Sequence, residues 1–248
     1  MTRPGGTASS AAGSSTAQAK GQSGNAAIRP GLSAKVKPGG GRRSSEFARV
    51  KHEHYVEEPW VSARLFAHYA DQVVDPLGMS WPGRDEIVIL DPAAGFGHIV
   101  RSARRAGLAA LGSDLIKRSP NVRGGCDFLS PSWRRPARNQ LLTIVCNPPF
   151  LQMRAFIEKA LAVADFGVAM LVPTRRLNAA HWLEDTPLVD ILYVTPRPSL
   201  WPGNIYRRRV AKGLPLGTGT AYVCWLIFRV GRAYAGHAGW LKRDGEGA

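Results

Sequence analysis

From residue 86 onward, short apolar runs alternate with stretches that carry apolar residues at helical spacing. The apolar runs predict seven strands, at 86–90, 109–112, 122–126, 141–146, 167–172, 189–194 and 220–230. Helical spacing predicts helices at 98–106 and 154–164. This alternation is typical of a Rossmann-like α/β fold, a mostly parallel sheet with helices on both faces. No helical stretch separates the last two strands, so the last strand is predicted to be antiparallel.

The first 45 residues have a different composition. They are rich in Gly, Ser, Ala, Thr and Pro, and they contain seven Lys or Arg residues and no acid. Such a segment buries too little apolar surface to offset the entropy lost on ordering. We therefore predict a disordered basic arm at 1–45 and one α/β domain at 46–248. No apolar run is long enough for a secretory signal or a membrane span.

Charge narrows the class of partner. The formal net charge is +15 and the sequence pI is about 10.5. A strong positive charge favours a polyanion such as nucleic acid, although a generally basic soluble protein has the same property. The cysteines Cys126, Cys146 and Cys224 are scattered and form no CxxC pair. This argues against a disulfide framework or a zinc site and favours a cytoplasmic protein without a metal.

The first predicted strand runs into Asp91-Pro-Ala-Ala-Gly-Phe-Gly97, directly before a helix. Glycines at 95 and 97 allow a tight turn and close approach of a ligand to the main chain. A dinucleotide-binding fingerprint would have a third Gly or Ala at position 100, where Val100 stands, and this argues against NAD. Asp114, at the end of the second strand, is suited to binding ribose hydroxyls.

Asp127 and Phe128 would end the third predicted strand, at 122–126. The carboxylate could accept a hydrogen bond from an adenine amine, and the ring could pack against the base. Each feature also has a simpler interpretation, as turn glycines or as helix-capping and solvated acids. Their occurrence at three successive strand ends favours a cofactor that contains adenosine.

A polar and rigid segment, Asn147-Pro148-Pro149-Phe150, follows the apolar run at 141–146. The prolines have no N–H and fix the backbone, so their carbonyls are held stiffly at the end of the strand. An amide, a fixed carbonyl and an aromatic ring can hold a flat base with an exocyclic amine. The alternative is an ordinary strand exit with a capping Asn.

With these motifs, and with 112–115 and 125–129, the chain resembles class I S-adenosylmethionine-dependent methyltransferases that modify the N6 amine of adenine in DNA. Segments 55–60, 196–198 and 217–220 are similar to compact enzymes of this family from phages and prophages. The resemblance spans residues 55–229. RNA adenine methyltransferases and protein glutamine-N5 methyltransferases carry related Asn-Pro-Pro motifs, so both stay open, as does a catalytically inactive nucleic-acid-binding module.

The resemblance implies roles for individual residues. S-adenosylmethionine would be bound by Asp91, Ala93, Gly95, Gly97, Asp114, Leu115, Asp127 and Phe128. The target amine would be held by Asn147 and the Pro148 carbonyl, and Phe150 would stack on the flipped base. The chain departs from the family pattern in two respects. Glu58 stands before Pro59 where the family usually has Thr. With Asn147 only 20 residues after Asp127, the chain is also expected to lack a separate target-recognition domain.

Nucleic acid is predicted to contact basic residues near the ends of the later strands. These residues are Arg175, Arg176, Arg207, Arg208, Arg209 and Lys212. Four of them fall in 204–219, which is predicted to be a mobile loop. Trp201 is interpreted either as a stacking residue or as packing for this loop. His98 is interpreted as a residue at a helix start beside the glycine turn, without a role as a base.

Overall fold

The computed structural model describes residues 54–70, 83–136, 139–216 and 219–243. The predicted arm at 1–45 lies outside these ranges. The strands are β1 Tyr55–Glu57, β2 Ile87–Asp91, β3 Ala109–Gly112, β4 Leu141–Cys146, β5 Gly167–Pro173, β6 Leu188–Thr195, β7 Leu200–Pro202, β8 Val223–Arg229 and β9 His237–Lys242. The helices are α1 Pro59–Ala70, α2 His98–Arg105, α3 Met153–Val163 and α4 Gly203–Ala211, with 3-10 helices at Phe150–Gln152, Thr174–Ala179 and His181–Asp185.

Seven strands form one sheet in the order β3-β2-β4-β5-β8-β6-β9. Strand β8 is antiparallel to both neighbours, and all other adjacent pairs are parallel. The carboxyl ends of the six parallel strands therefore lie at one edge of the sheet. This topology confirms the predicted Rossmann-like, mostly parallel sheet. The strand predicted to be last and antiparallel is β8, which is antiparallel, and the parallel strand β9 follows it in the chain.

The sheet is buried on both faces because helices cover each of them. Alternate residues of β2 face opposite sides, so Ile87 and Ile89 pack with α1 and α2, while Val88 and Leu90 pack with α3. Strand β8 alternates in the same way, with Trp225 on the first side. None of the helices in the described ranges is long and apolar enough to cross a membrane.

The predicted strand at 122–126 is wrong. This segment makes a single parallel bridge, from Arg123 to Ser113. The chain turns back at Gly125, whose φ is 71°, and the amides of Gly125 and Cys126 donate to the carbonyls of Leu115 and Asp114. These hydrogen bonds to the loop after β3 take the place of the regular strand pairing with β3 that the prediction requires. The seventh strand of the sheet is instead β9, at the opposite edge.

The predicted mobile loop at 204–219 is also wrong in its first half, which forms helix α4. Pro202 precedes the helix and Gly213, with φ 61°, follows it. Residues 204–212 contain no Gly or Pro, so nothing in the sequence interrupts the helix that carries the arginines.

A small antiparallel sheet of β1 and β7 lies beside the carboxyl edge of the main sheet. Glu58, directly after β1, accepts hydrogen bonds from the Ser199 amide at 2.7 Å and from Trp60 Nε1 at 2.8 Å. The residue that departs from the family pattern is thus a buried brace between β1 and the segment before β7. Its side chain does not line the cavity described next.

Candidate active site

A cavity of about 400 Å³ opens at the carboxyl edge of the sheet. Its walls come from β1, from the loops after β2 and β3, from the turn around 126–128, and from the residues after β4. Eight of the eleven predicted cofactor and catalytic residues line it: Asp91, Ala93, Gly95, Asp114, Leu115, Asp127, Phe128 and Asn147. Gly97, Pro148 and Phe150 are not among its lining residues. Six of the eight lie at or after the ends of the parallel strands β2, β3 and β4, whereas Asp127 and Phe128 lie in the turn that folds back on the loop after β3.

The glycine turn is strained for any other residue. Gly95 and Gly97 have φ of 51° and 77°, in the left-handed region that favours glycine. A Cβ built on Gly95 would lie 2.7 Å from Nε2 of His54, which also packs edge-on against Phe96. Burial lowers the pKa of His54 to about 4, so this ring is neutral near pH 7.

Four amides of the glycine turn are already occupied within the chain. They donate from Ala93 to Asp91 Oδ1, from Ala94 to the Ser113 carbonyl, from Gly95 to Asp114 Oδ2 and from Gly97 to the Ala94 carbonyl, at 2.5–3.2 Å. A phosphate-binding turn needs free N–H groups pointing at the ligand. This turn therefore offers little to a pyrophosphate, which supports the interpretation drawn from Val100.

Asp114 has limited capacity for a ligand. Its Oδ2 accepts from the Gly95 amide at 2.8 Å, and its Oδ1 accepts from the Ile116 amide at 2.9 Å and from Arg118 Nη1 at 2.6 Å. A carboxylate has about four lone-pair positions, so one remains. Binding two hydroxyls would require Arg118 to leave Oδ1. Leu115, next to it, is 51% exposed and offers an apolar surface at the mouth.

Asp91 is a buried acid in an acidic cavity. It is 1% exposed, and its neighbours include the Cys146 thiol and the Glu57 carboxylate. Burial, and then the charge of Glu57, raise the pKa of Asp91 well above its usual value. The wall also contains Asp114 and the exposed Asp127, whereas the guanidinium of Arg118 is paired with Asp114. The cavity thus favours a cation although the whole chain is strongly basic.

The turn at 126–128 supplies one polar and one apolar group. Asp127 is exposed, and its Oδ1 accepts from the Leu129 amide at 3.0 Å. Phe128 is only 2% exposed and packs against Trp133 and Phe156 with ring centroids 5.2 and 5.3 Å away. Phe128 is therefore a core residue whose edge forms part of the cavity wall.

Asn147 projects from the end of β4 toward β1. Its Nδ2 donates to the Tyr55 carbonyl at 3.0 Å and to Glu57 Oε2 at 2.8 Å. Among the described residues, no donor reaches Asn147 Oδ1 or the carbonyl of Pro148. Pro148 is buried and Phe150 is half-buried at the start of a 3-10 helix. Two acceptor oxygens are therefore left unused at adjacent residues of the site.

Sequence reasoning missed three residues that organise this site. Glu57 orients Asn147, and Arg118 occupies Asp114. His98 joins β1 to α4, because its ring nitrogens contact the Glu57 carbonyl at 3.0 Å and the Tyr206 hydroxyl at 3.3 Å. Glu57 belongs to the segment 55–60, which is part of the resemblance to methyltransferases. That membership is the sequence signal that could have pointed to Glu57.

The predicted basic residues fall into two groups. Arg207 stacks over Phe96 and donates to the Arg118 carbonyl, and Arg209 stacks over Trp201 and donates to the Pro215 carbonyl. Arg208 is exposed on α4, and Lys212 is exposed directly after it. Arg175 is exposed and Arg176 half-buried on the 3-10 helix after β5. None of the six lines the cavity.

Trp201 is a packing residue for the segment after α4. Its ring is half-buried, and its Nε1 donates to the Leu216 carbonyl at 2.9 Å. A different aromatic residue is exposed at the carboxyl edge: Tyr222, immediately before β8, is 63% exposed, and its hydroxyl accepts from Arg197 at 2.8 Å.

A second groove, of about 740 Å³, adjoins the cavity and shares Cys126 and Asp127 with it. Four cations line it: Arg104, Lys117, Arg123 and Arg134. Two of these arginines donate to carbonyls, and in the described part of the chain none of the four forms an ion pair. Trp133 contributes a half-buried ring. The groove is a basic surface that the sequence did not indicate.

No protein-family model matches the sequence, and no curated protein sequence matches it. Among solved structures, the chain is similar to a proposed RNA methyltransferase from Pyrococcus horikoshii, with 13% identity, coverage of 75% of this chain and 92% of that chain, and a TM-score of 0.48. It is also similar to a proposed class I S-adenosylmethionine-dependent methyltransferase from Listeria monocytogenes, with 12% identity, coverage of 79% and 68%, and a TM-score of 0.46. For the 23S rRNA methyltransferase ErmE, identity is 17%, coverage is 73% and 71%, and the TM-score is 0.41.

Asp91→Asn should stabilise the ligand-free protein more at pH 8 than at pH 5. The folded-state pKa of Asp91 is raised, so the wild-type protein loses stability as pH rises from the unfolded value of 3.8 through the folded one, whereas Asn does not titrate. Urea unfolding at the two pH values measures this difference. The same gain in unfolding free energy at both pH values would contradict a raised pKa at Asp91.

Proposed function

We propose that this chain is an S-adenosylmethionine-dependent methyltransferase that methylates the N6 amine of adenine in DNA. The observation that carries the proposal is the pair of unused acceptors, Asn147 Oδ1 and the Pro148 carbonyl, at the end of β4. An exocyclic amine has two hydrogens and requires two such acceptors. A hydroxyl or a carbon nucleophile would leave at least one of them without a partner.

The cavity beside these acceptors suits S-adenosylmethionine. This cofactor is cationic at its sulfonium and its ammonium, and Glu57, Asp91 and Asp114 make the cavity acidic. Asp91 would hold the ammonium, Asp114 a ribose hydroxyl, and Leu115 the adenine. The occupied amides of the glycine turn disfavour a pyrophosphate cofactor. When bound, S-adenosylmethionine supplies an electrophilic methyl group on sulfur.

The two acceptors act on the amine. The lone pair of an aromatic amine is delocalised into the ring, so the amine is a poor nucleophile until its nitrogen becomes pyramidal. Accepting both hydrogens favours that geometry, and both bonds strengthen as positive charge develops on nitrogen. The nitrogen–carbon bond forms as the carbon–sulfur bond breaks, and the amine proton passes to solvent. Positioning supplies much of the acceleration.

Basic and aromatic groups support a nucleic-acid substrate. Arg208 lies on the helix that packs against the glycine turn and Lys212 directly follows that helix, while the basic groove adjoins the cavity at Cys126 and Asp127. Exposed Tyr222 lies at the same sheet edge as Asn147 and offers a ring for stacking. Cations that follow a backbone and rings that stack on bases are the usual means of holding an extruded strand.

The choice of DNA rests on the resemblance to compact phage and prophage enzymes. RNA adenine methylation would use the same two acceptors, and it differs in requiring contacts to the 2′-hydroxyl. Glutamine-N5 methylation of a protein would leave the basic surfaces without a partner. A binding module without activity would not need unused acceptors next to an acidic cavity.

Asn147→Ala should remove turnover while S-adenosylmethionine still binds. The side chain holds the amine and does not touch the glycine turn, so we expect a loss of ~10²-fold or more in the single-turnover rate. Calorimetric titration should give a cofactor Kd within a few-fold of the wild-type value. Full activity in this variant would refute the assignment of the acceptor.

Incubation with radiolabelled S-adenosylmethionine and separate pools of DNA, RNA and protein tests the substrate class. Digestion of each labelled pool should yield N6-methyldeoxyadenosine from DNA. Label in N6-methyladenosine from RNA alone would replace DNA by RNA. Label only in protein glutamine, or none in any pool, would overturn the proposal.

Charge removal should reveal which basic surface holds the polyanion. A variant that changes Arg208 and Lys212 to Ala removes two exposed cations without disturbing the stacked arginines of α4. A matched variant changes Lys117 and Arg123 to Ala in the groove. Each should weaken binding to all DNA sequences and lower the slope of log K against log salt by up to ~2 if both contacts form. An unchanged salt slope in both variants would exclude both surfaces.

A further inference from the structure

We infer that Glu57 is a positioning residue that fixes the amide orientation of Asn147 and strengthens its oxygen as an acceptor; this rests on the function proposed above. Glu57 is 6% exposed and reaches Asn147 from β1, although 90 residues separate the two in the chain. Glu57 lies outside the predicted motif at 147–150, so the motif itself does not predict this contact.

The two acceptors around Nδ2 leave the amide one orientation. A carbonyl, that of Tyr55, and a carboxylate, that of Glu57, both need a donor, and only the NH₂ end of Asn147 supplies hydrogens. In the flipped amide, an oxygen would face two oxygens at about 3 Å. The structure therefore directs Oδ1 away from β1, where the described chain supplies no donor.

The carboxylate also affects the reactivity of the amide. A hydrogen bond from Nδ2 to an ionised group is charge-assisted, and it polarises the amide so that Oδ1 carries more negative charge. That oxygen then holds a nitrogen that becomes positive in the transition state. The contribution of Glu57 is larger in the transition state than in the ground state, and it should appear in the rate of the chemical step.

The Glu57 side chain is not needed to hold β1 in place. The strand pairs with β7, its Glu57 carbonyl contacts His98, and the adjacent Glu58 braces the Ser199 amide. These contacts use the backbone of Glu57 or the side chain of its neighbour. Changes at the Glu57 side chain should therefore leave the fold and β1 intact.

The experiment compares Glu57→Gln and Glu57→Ala in the full chain. We expect the single-turnover rate at saturating S-adenosylmethionine to fall ~10-fold for Gln, which can still accept from Nδ2, and ~100-fold for Ala. The cofactor Kd, measured by calorimetry, should rise in both variants because Glu57 is one of the acids in the cavity wall, so the rates are compared only at saturation. Glu58→Gln is the matched control on the same segment, and it should lower thermal stability while the single-turnover rate stays near wild type.

The same Glu57 substitution in an Asn147→Asp background separates the orientation of the Asn147 amide from a general effect of the lost charge. Asn147→Asp places a carboxylate against Glu57, so E57Q should raise the rate ~10-fold in that background although it lowers the rate in the wild-type background. A role limited to structure would give a fall in both. In ¹⁵N spectra of the protein without cofactor, the Asn147 side-chain amide resonances should shift in E57Q and not in E58Q.

The outcomes separate the two proposals. A wild-type protein that methylates no substrate refutes the proposed function. A wild-type protein that is active, with E57Q at the wild-type rate or equally harmful in both backgrounds, refutes the positioning role of Glu57 alone. Unchanged Asn147 amide resonances in E57Q would also refute it, without reference to activity.

Discussion

The parallel pairing of β2 with β4 fixes the positions on which the whole site depends. Its register runs from Ile87 opposite Leu141 to Leu90 opposite Ile144, so the two strands end together. Asp91 and Cys146 are consequently in contact, and Asn147 follows within the same cavity. A shift of one residue would turn Asp91 or Asn147 toward the opposite face. The buried faces of both strands make such a shift unfavourable.

Acidic and basic residues are separated around the ends of β2 and β4. The chain as a whole is strongly basic, yet the cavity presents Glu57, Asp91 and Asp114. Basic residues occur outside it, on α4 and along the adjacent groove. A cation inside and a polyanion outside is the arrangement expected when a sulfonium donor and a nucleic acid meet at one opening. Neither feature follows from the fold alone.

The sequence predicted what local patterns control. Buried strands give continuous apolar runs, and six of the seven predicted strands occur with ends shifted by a few residues at most. The segment 122–126 also has apolar residues, but Gly124 and Gly125 let it fold back on the preceding loop. The sequence analysis did not predict helix α4, because a segment rich in arginine and lacking an apolar periodicity is also typical of a loop. The contact of Glu57 with Asn147 could not be foreseen, since it depends on how β1 packs against the sheet edge.

Two buried acids lie close together in the site, and a bound cation would reduce the repulsion between them. Burial and the nearby Glu57 raise the pKa of Asp91, so its carboxyl retains a proton more readily than an exposed aspartate does. Glu57 accepts a hydrogen bond from the Asn147 amide, whereas the donors to Asp91 among the described residues are the Ala93 amide and the Cys146 thiol. A cation beside Asp91 would stabilise the ionised form and lower that pKa. Binding of a cationic cofactor would then release a proton, and it would strengthen as pH rises through the folded-state pKa. The same burial that raises the pKa of Asp91 would thus make this acid selective for a positive ligand.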